Sequence, residues 1–281
     1  MRLLITDLDN TLYDWMTYFA QSFRAMVRSL VQITEIPEDV LLDDFKSVHQ
    51  QYANSEHLYA VLELPSLRNK YAGQSDEEFM QTIDGALHEF DRTRKQTLHL
   101  YDGVAESLEW LHNQNVIVVG YTEAISVNAF YRLHMLGIDQ FFTKLYALDG
   151  FLRPHPKGTP VSYAARDGFI EIVPPSERKP NPRLLLDICA RHGVSASSAV
   201  YVGDSLTRDI SMATEAGVMA VWAKYGTQYD RSLWNVLVRV THWTDTDVRR
   251  EEELRHQYSN VRPDRTINSF TEVLSLFQSS Y

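Results

Sequence analysis

Four short apolar runs, separated by stretches of helical periodicity, narrow the possible folds of this chain more than any other feature. They are Leu3-Leu4-Ile5, Val116-Ile117-Val118-Val119, Ala199-Val200-Tyr201-Val202 and Val218-Met219-Ala220-Val221-Trp222. Each is strand-sized and bounded by polar or turn residues, as expected of strands buried on both faces of a parallel sheet. Val104, Leu108 and Leu111 recur at helical spacing ahead of the second run, and Leu184, Leu185, Ile188 and Cys189 do so ahead of the third. Ile210, Ala213 and Ala216 precede Gly217, a helix stop, and then the fourth run. This alternation predicts an α/β doubly wound core with a parallel, Rossmann-like sheet.

One segment breaks the alternation. From Asp14 to Leu100 the pattern is almost wholly helical, with Phe19, Phe23, Met26, Val27 and Leu30 on one face and Phe79, Ile83, Leu87 and Phe90 on another. Pro37 and Pro65 mark breaks within it. The division expected is an α/β core from residues 1–13 and 101–281, with a helical domain inserted at 14–100. Residues 146–176 are rich in proline and glycine and read as a long loop, with a hairpin at Gly168-Phe169-Ile170-Glu171-Ile172-Val173. The mixed-charge run Arg249 to Arg255 reads as a solvated helix face.

Composition limits the partners. The 27 basic and 37 acidic residues give a net charge of −10, a field that repels polyanions and argues against nucleic acid and anionic membranes. No apolar stretch approaches the ~18 residues needed to span a bilayer. The opening apolar run is too short for a signal peptide, and the single cysteine, Cys189, forms no intrachain disulfide. The expectation is a cytoplasmic protein.

The chemistry gathers at strand ends, where open α/β sheets bind ligands. Asp7-Leu8-Asp9-Asn10-Thr11 follows the first run directly. Two aspartates two residues apart can both turn into the crevice, where their repulsion calls for a cation or a proton. Alone, the motif reads equally as a turn with a helix cap. Gly203-Asp204-Ser205-Leu206-Thr207-Arg208-Asp209 follows the third run, and a cap explains Ser205 better than Asp204. Asp7 and Asp204 meeting at neighbouring strand ends would offer Mg²⁺ the oxygen ligands it prefers. Thr122, after the second run, reads either as an N-cap or as a hydroxyl beside free N–H groups that hold a phosphate oxygen. Lys179, in a proline-rigid turn, reads as a surface lysine or as a point charge on the same anion.

Taken in order, these elements resemble the haloacid dehalogenase superfamily of aspartate-nucleophile phosphatases. That family's pattern is Asp-x-Asp-x-Thr, a strand ending in Thr or Ser, a Lys, and Gly-Asp followed by a second acid. Here it is met by Asp7, Asp9 and Thr11, then Thr122, Lys179, Gly203-Asp204 and Asp209. The likeness covers residues 1–13 and 101–240 and a final helix near Phe270 to Phe277, and the insertion looks like the family's helical cap. Glu123 stands where many relatives carry Asn, residues 146–176 are longer than the usual link, and the chain beyond Trp243 has no counterpart in the pattern.

The resemblance implies that Asp7 is the nucleophile and Asp9 the general acid and base. Asp7, the main-chain carbonyl of Asp9 and Asp204 bind Mg²⁺. Thr122 and Lys179 hold the phosphoryl oxygens, and Asp209 orients Lys179 or a water. The dehalogenase branch lacks the second acid, so Asp9 favours a phosphate ester over a haloacid; a phosphomutase keeps both aspartates. The expected reaction is Mg²⁺-dependent hydrolysis of a small phosphomonoester, such as a nucleotide or sugar phosphate, with a non-catalytic phosphate-binding protein of the same fold as a further alternative. His57, Tyr59, Arg68, Lys70, Arg153 and Lys157 are candidate substrate contacts, each equally readable as solvated surface. The exposed face of a cap offers a homodimer contact.

Overall fold

A computed structural model describes residues 1–57, 59–150 and 165–278. Its centre is a seven-stranded sheet of β1 (Leu3–Thr6), β2 (Ile117–Ile125), β3 (Lys144–Leu148), β4 (Ile170–Val173), β5 (Ala199–Gly203), β6 (Met219–Ala223) and β7 (Arg265–Ile267). The strand order is β4-β3-β2-β1-β5-β6-β7, and every pair is parallel. The four apolar runs are the central strands β2, β1, β5 and β6. Their lack of hydrophobic alternation has a direct cause: Leu4, Val118 and Val200 enter one core, whereas Leu3, Ile5, Val119 and Tyr201 enter another on the opposite face.

The first core is covered by α6 (Val104–Asn113) and α7 (Ser126–Met135), the second by α8 (Pro182–Arg191) and α9 (Ser211–Ala216). Three strands escaped the sequence reading. Tyr146, Ala147 and Leu148, placed there in a loop, belong to β3, and Ile170–Val173 is not part of a hairpin but the parallel edge strand β4. β4 lies at the sheet edge with a mixed exposed and buried pattern, so the double-sided apolar signature fails for it. The three-residue β7 is shorter than any periodicity can register.

Residues 15–97 form α1 (Trp15–Thr34), α2 (Glu38–Tyr52), α3 (Pro65–Lys70), α4 (Asp76–Thr82) and α5 (Asp84–Thr97), with no strand among the described residues. Pro37 caps α2 and Pro65 opens α3, the places where a missing N–H costs nothing. The α1 stripe of Phe19, Phe23, Val27 and Leu30 is buried. α10 (Arg231–Val240) comes from the part of the chain assigned to the core, yet it packs on α1 and α2: Leu233 joins Met16 and Ala20, and His49 Nδ1–H donates to the Val240 carbonyl at 2.6 Å. The last element, Phe270–Leu276, is a 3-10 rather than an α-helix and packs on α6. Among the described residues, no helix is long and apolar enough to cross a membrane.

Candidate active site

The carboxyl ends of β1 and β5 lie side by side, with Thr6 paired to Val202 and the Asp7 N–H donating to the Val202 carbonyl at 2.8 Å. Asp7 therefore leaves β1 level with Gly203, and Asp204 is the next residue on the neighbouring strand. Asp209 reaches back from a π-type turn at Leu206–Ile210, where its carboxylate accepts from Ser205 N–H at 3.0 Å and from the Tyr201 hydroxyl at 2.8 Å. Gly203 is required for that return, because a Cβ there would sit 2.4 Å from the Asp209 carboxyl carbon. Ser205 caps the turn, accepting from Arg208 N–H at 3.3 Å.

Asp7, Asp204 and Asp209 can each place a carboxylate oxygen within 4.8 Å of the others. Lys179 bridges two of them, donating to Asp7 at 2.6 Å and to Asp209 at 2.8 Å, with its ammonium 5.0 Å and 5.5 Å from the Tyr121 and Tyr201 ring centroids. Burial pushes Asp7 up to about 7, against the pull of Lys179. Burial and the charges of Asp209 and Asp7 raise Asp204 well above the carboxylate range. Burial alone would depress Lys179, but Asp209 and Asp7 outweigh it and hold the ammonium above the ordinary lysine range. Three carboxylates thus share one buried cation. The donors are all hard oxygens and positive charge is in deficit, so the group fits a divalent cation such as Mg²⁺.

Asp9 lies beside this cluster, close enough for its charge to raise Asp7, and is held by partners of its own. The Asp7–Tyr13 loop folds tightly: Leu12 N–H donates to the Leu8 carbonyl at 2.8 Å, and Asn10, a residue that tolerates the left-handed region, sits at φ 57°. The Asp9 carboxylate accepts from the Tyr13 hydroxyl at 2.7 Å and pairs with Arg132 at 3.1 Å. Gly226 closes over the same loop, where a Cβ would collide with the Asn10 carbonyl at 1.8 Å, and the Tyr225 hydroxyl donates to the Thr11 carbonyl at 2.6 Å.

Thr122 is buried at the carboxyl end of β2, the other neighbour of β1. It is not a helix cap, since α7 begins only at Ser126; its hydroxyl accepts from Ala124 N–H at 3.1 Å where the pairing of β2 with β3 becomes irregular. Glu123 pairs with Arg208 at 2.9 Å, and Arg208 pairs with Glu251 of α11 (Asp245–Gln257) at 2.8 Å. Arg250 of the same helix donates to the Lys179 carbonyl at 2.9 Å. The run expected to be a solvated face therefore turns Glu251 and Arg250 onto the rim of the site.

Of the candidate substrate contacts, His57 and Tyr59 line a cavity of about 460 Å³ between α1, α2, α5 and α7, walled by aromatic rings including Phe19, Phe45 and Phe90. Arg68 and Lys70 do not line it: Arg68 is bound to Asp76 and the Leu62 carbonyl, and Lys70 to the Thr34 carbonyl. Arg153 and Lys157 lie outside the described residues. Arg132 and Glu56, absent from the sequence reading, stand between this cavity and Asp9. A detectable signal existed, since Arg132 interrupts the buried α7 stripe of Ala129, Phe130 and Leu133.

A fold and site of this kind define a class, and comparison with known proteins places the chain in it. A sequence model described as haloacid dehalogenase-like hydrolase matches residues 1–217. The chain belongs to that family of hydrolases. It is 23% identical over 233 residues (82% of this chain, 87% of the relative) to the glyceraldehyde 3-phosphate phosphatase of Methanopyrus kandleri. It is 26% identical over 238 residues (83% and 72%) to the phosphoglycolate phosphatase of Pseudomonas fluorescens. Among solved structures, a 2-haloacid dehalogenase from Pseudomonas syringae aligns with TM-score 0.57 at 20% identity over 99% of this chain and 98% of that one, a likeness of fold. A family hydrolase from Bacillus subtilis bound to magnesium aligns with TM-score 0.51 at 18% identity over 98% and 97%.

Proposed function

We propose that the protein is a Mg²⁺-dependent phosphatase that hydrolyses a small phosphomonoester through an aspartyl-phosphate on Asp7. The observation that carries this reading is the convergence of Asp7, Asp204 and Asp209 within 4.8 Å around a single buried lysine. Asp7, Asp204 and the Asp9 carbonyl would hold the cation. When bound, it supplies charge neutralisation at the phosphoryl group and keeps Asp7 ionised. An Asp7 oxygen attacks phosphorus, the phosphorus–ester oxygen bond breaks, and the leaving oxygen takes its proton from Asp9. Asp9, now a carboxylate, removes a proton from water; the water oxygen attacks phosphorus, the bond to Asp7 breaks, and inorganic phosphate leaves. Lys179 and Thr122 hold the phosphoryl oxygens, with Asp209 orienting the lysine.

Asp9 separates this reaction from halide expulsion, which needs no acid. The names of the curated relatives, phosphatases of two- and three-carbon phosphates, support the same class. The aromatic cavity on the far side of Arg132 is of a size that houses ligands and is read as the room for the organic part of the substrate. Cys189 is buried and unpaired, which suits a reducing compartment such as the cytoplasm.

Hydrolysis of p-nitrophenyl phosphate tests the reading. Chelation of divalent metal should abolish turnover, and Asp7→Asn should lower it on the order of 10³-fold or more. Undiminished turnover in the chelated enzyme, or metal-free halide release from a 2-haloacid, would contradict it.

A further inference from the structure

Asp9 carries the proton in both displacements, yet nothing in the phosphate cluster holds its side chain. The groups that do hold it come from elsewhere. Arg132 of α7 is completely buried. Its Nη2 lies 3.1 Å from Asp9 Oδ1 and 3.3 Å from Oδ2, and its Nε donates to the Tyr13 hydroxyl at 3.0 Å. Its Nη1 donates at 2.5 Å to Glu56, which also accepts from Trp15 Nε1 at 2.7 Å. The guanidinium lies over the rings of Tyr13 and Tyr18, at 5.6 Å and 5.8 Å from their centroids. Glu56 belongs to the helical insertion and lines its cavity, so a single arginine joins the core's acid–base residue to the insertion.

The direction of these hydrogen bonds is fixed by chemistry. Arginine only donates. Tyr13 accepts from Arg132, so its own proton points to Asp9. Both Asp9 oxygens therefore receive donors, which fixes the orientation of the group that must take a proton from water in the second displacement. A planar guanidinium restrained on four sides gives that carboxylate one orientation; a lysine or a water would not.

We propose that Arg132, supported by Tyr13 and Glu56, is a positioning residue that holds Asp9 for hydrolysis of the aspartyl-phosphate. The proposal rests on the phosphatase reading above and adds to it a residue set that the family pattern does not contain. Its alternative is an ion pair that only fastens the insertion to the core. The two differ in which half of the reaction they affect. Expulsion of p-nitrophenolate needs no proton, so formation of the phosphoenzyme from p-nitrophenyl phosphate bypasses Asp9, whereas its hydrolysis does not.

The experiment is rapid-mixing kinetics of the full chain with Mg²⁺ and p-nitrophenyl phosphate. Arg132→Met should release a burst of about one p-nitrophenolate per active site at a rate within about threefold of the unmodified enzyme, followed by a steady state slowed ~10- to 100-fold. Tyr13→Phe, which removes one oxygen, should give the same pattern with a smaller loss, and decides the matter if Arg132→Met does not fold. A burst and a steady state that slow together, or neither slowing in both folded variants, would overturn the proposal. Asp9→Asn separates the two levels: if it bursts and the Arg132 and Tyr13 variants do not, the positioning role alone fails; if it shows no burst, the assignment of Asp9 fails and the proposal with it.

Discussion

Asp7, Asp204 and Asp209 are packed against one another around Lys179, and this has a measurable consequence for stability. Asp7 rises from 3.8 to about 7 on folding, with burial as the first cause, and Asp204 is raised in the same direction. A carboxyl whose folded pKa exceeds its unfolded value binds more protons in the folded state, so its contribution is present below the unfolded pKa and is lost as pH rises through the folded one. The metal-free protein should therefore lose thermal stability between about pH 4 and pH 7, and Mg²⁺ should raise the melting temperature more at the upper end of that window than at the lower. Asp204→Asn should flatten the metal-free decline. A melting temperature insensitive to Mg²⁺ across the window would contradict the cation assignment. At this scale the sequence was informative about type and order: Asp7 and Asp204 each stand immediately after a buried strand. Through the resemblance it offered Asp209 as one partner of Lys179, but it was silent about Arg132, whose contact with Asp9 joins positions 123 residues apart.

Elements decide how the residues are presented. Parallel pairing of β1 with β5 brings Asp7 beside Gly203 and Asp204, and the π-type turn returns Asp209 to the same place. The central strands were legible because both faces are buried; β4 at the edge, with one side exposed, and the three-residue β7 were not. α11 was legible as a helix, but its mixed charges hid its packing, since sequence does not distinguish a glutamate in water from one paired with a half-buried arginine. Glu251 is only 12% exposed and links α11 through Arg208 to Glu123 at the end of β2. Glu251→Ala should lower the melting temperature by about 2–4 °C, the shift that ~1 kcal/mol produces in a chain of this size. It should also raise KM for p-nitrophenyl phosphate by a few-fold, because Arg250 of the same helix anchors the Lys179 carbonyl. Unchanged stability and KM would return α11 to the role of a solvated face.

On the scale of the molecule, the chain is a parallel α/β sheet with a run of helices between β1 and β2, and α10 packs against α1 and α2. The helical run between β1 and β2 was visible in the sequence as a long interruption of strand–helix alternation. Its cavity was not, because a cavity is what three helices and α7 leave unfilled. The ion-paired path Glu56–Arg132–Asp9 runs from that cavity to the strand ends, so the cavity and the residue proposed to carry the proton belong to one connected arrangement. Asp7 stands at its centre, and acid-quenched enzyme analysed by peptide mass spectrometry addresses Asp7 directly. After brief mixing of Asp9→Asn protein with Mg²⁺ and p-nitrophenyl phosphate, the peptide containing Asp7 should gain the mass of one phosphoryl group, and Asp7→Asn should abolish that gain. Turnover with no phosphoryl group on that peptide, or with one attached at another residue, would contradict the account.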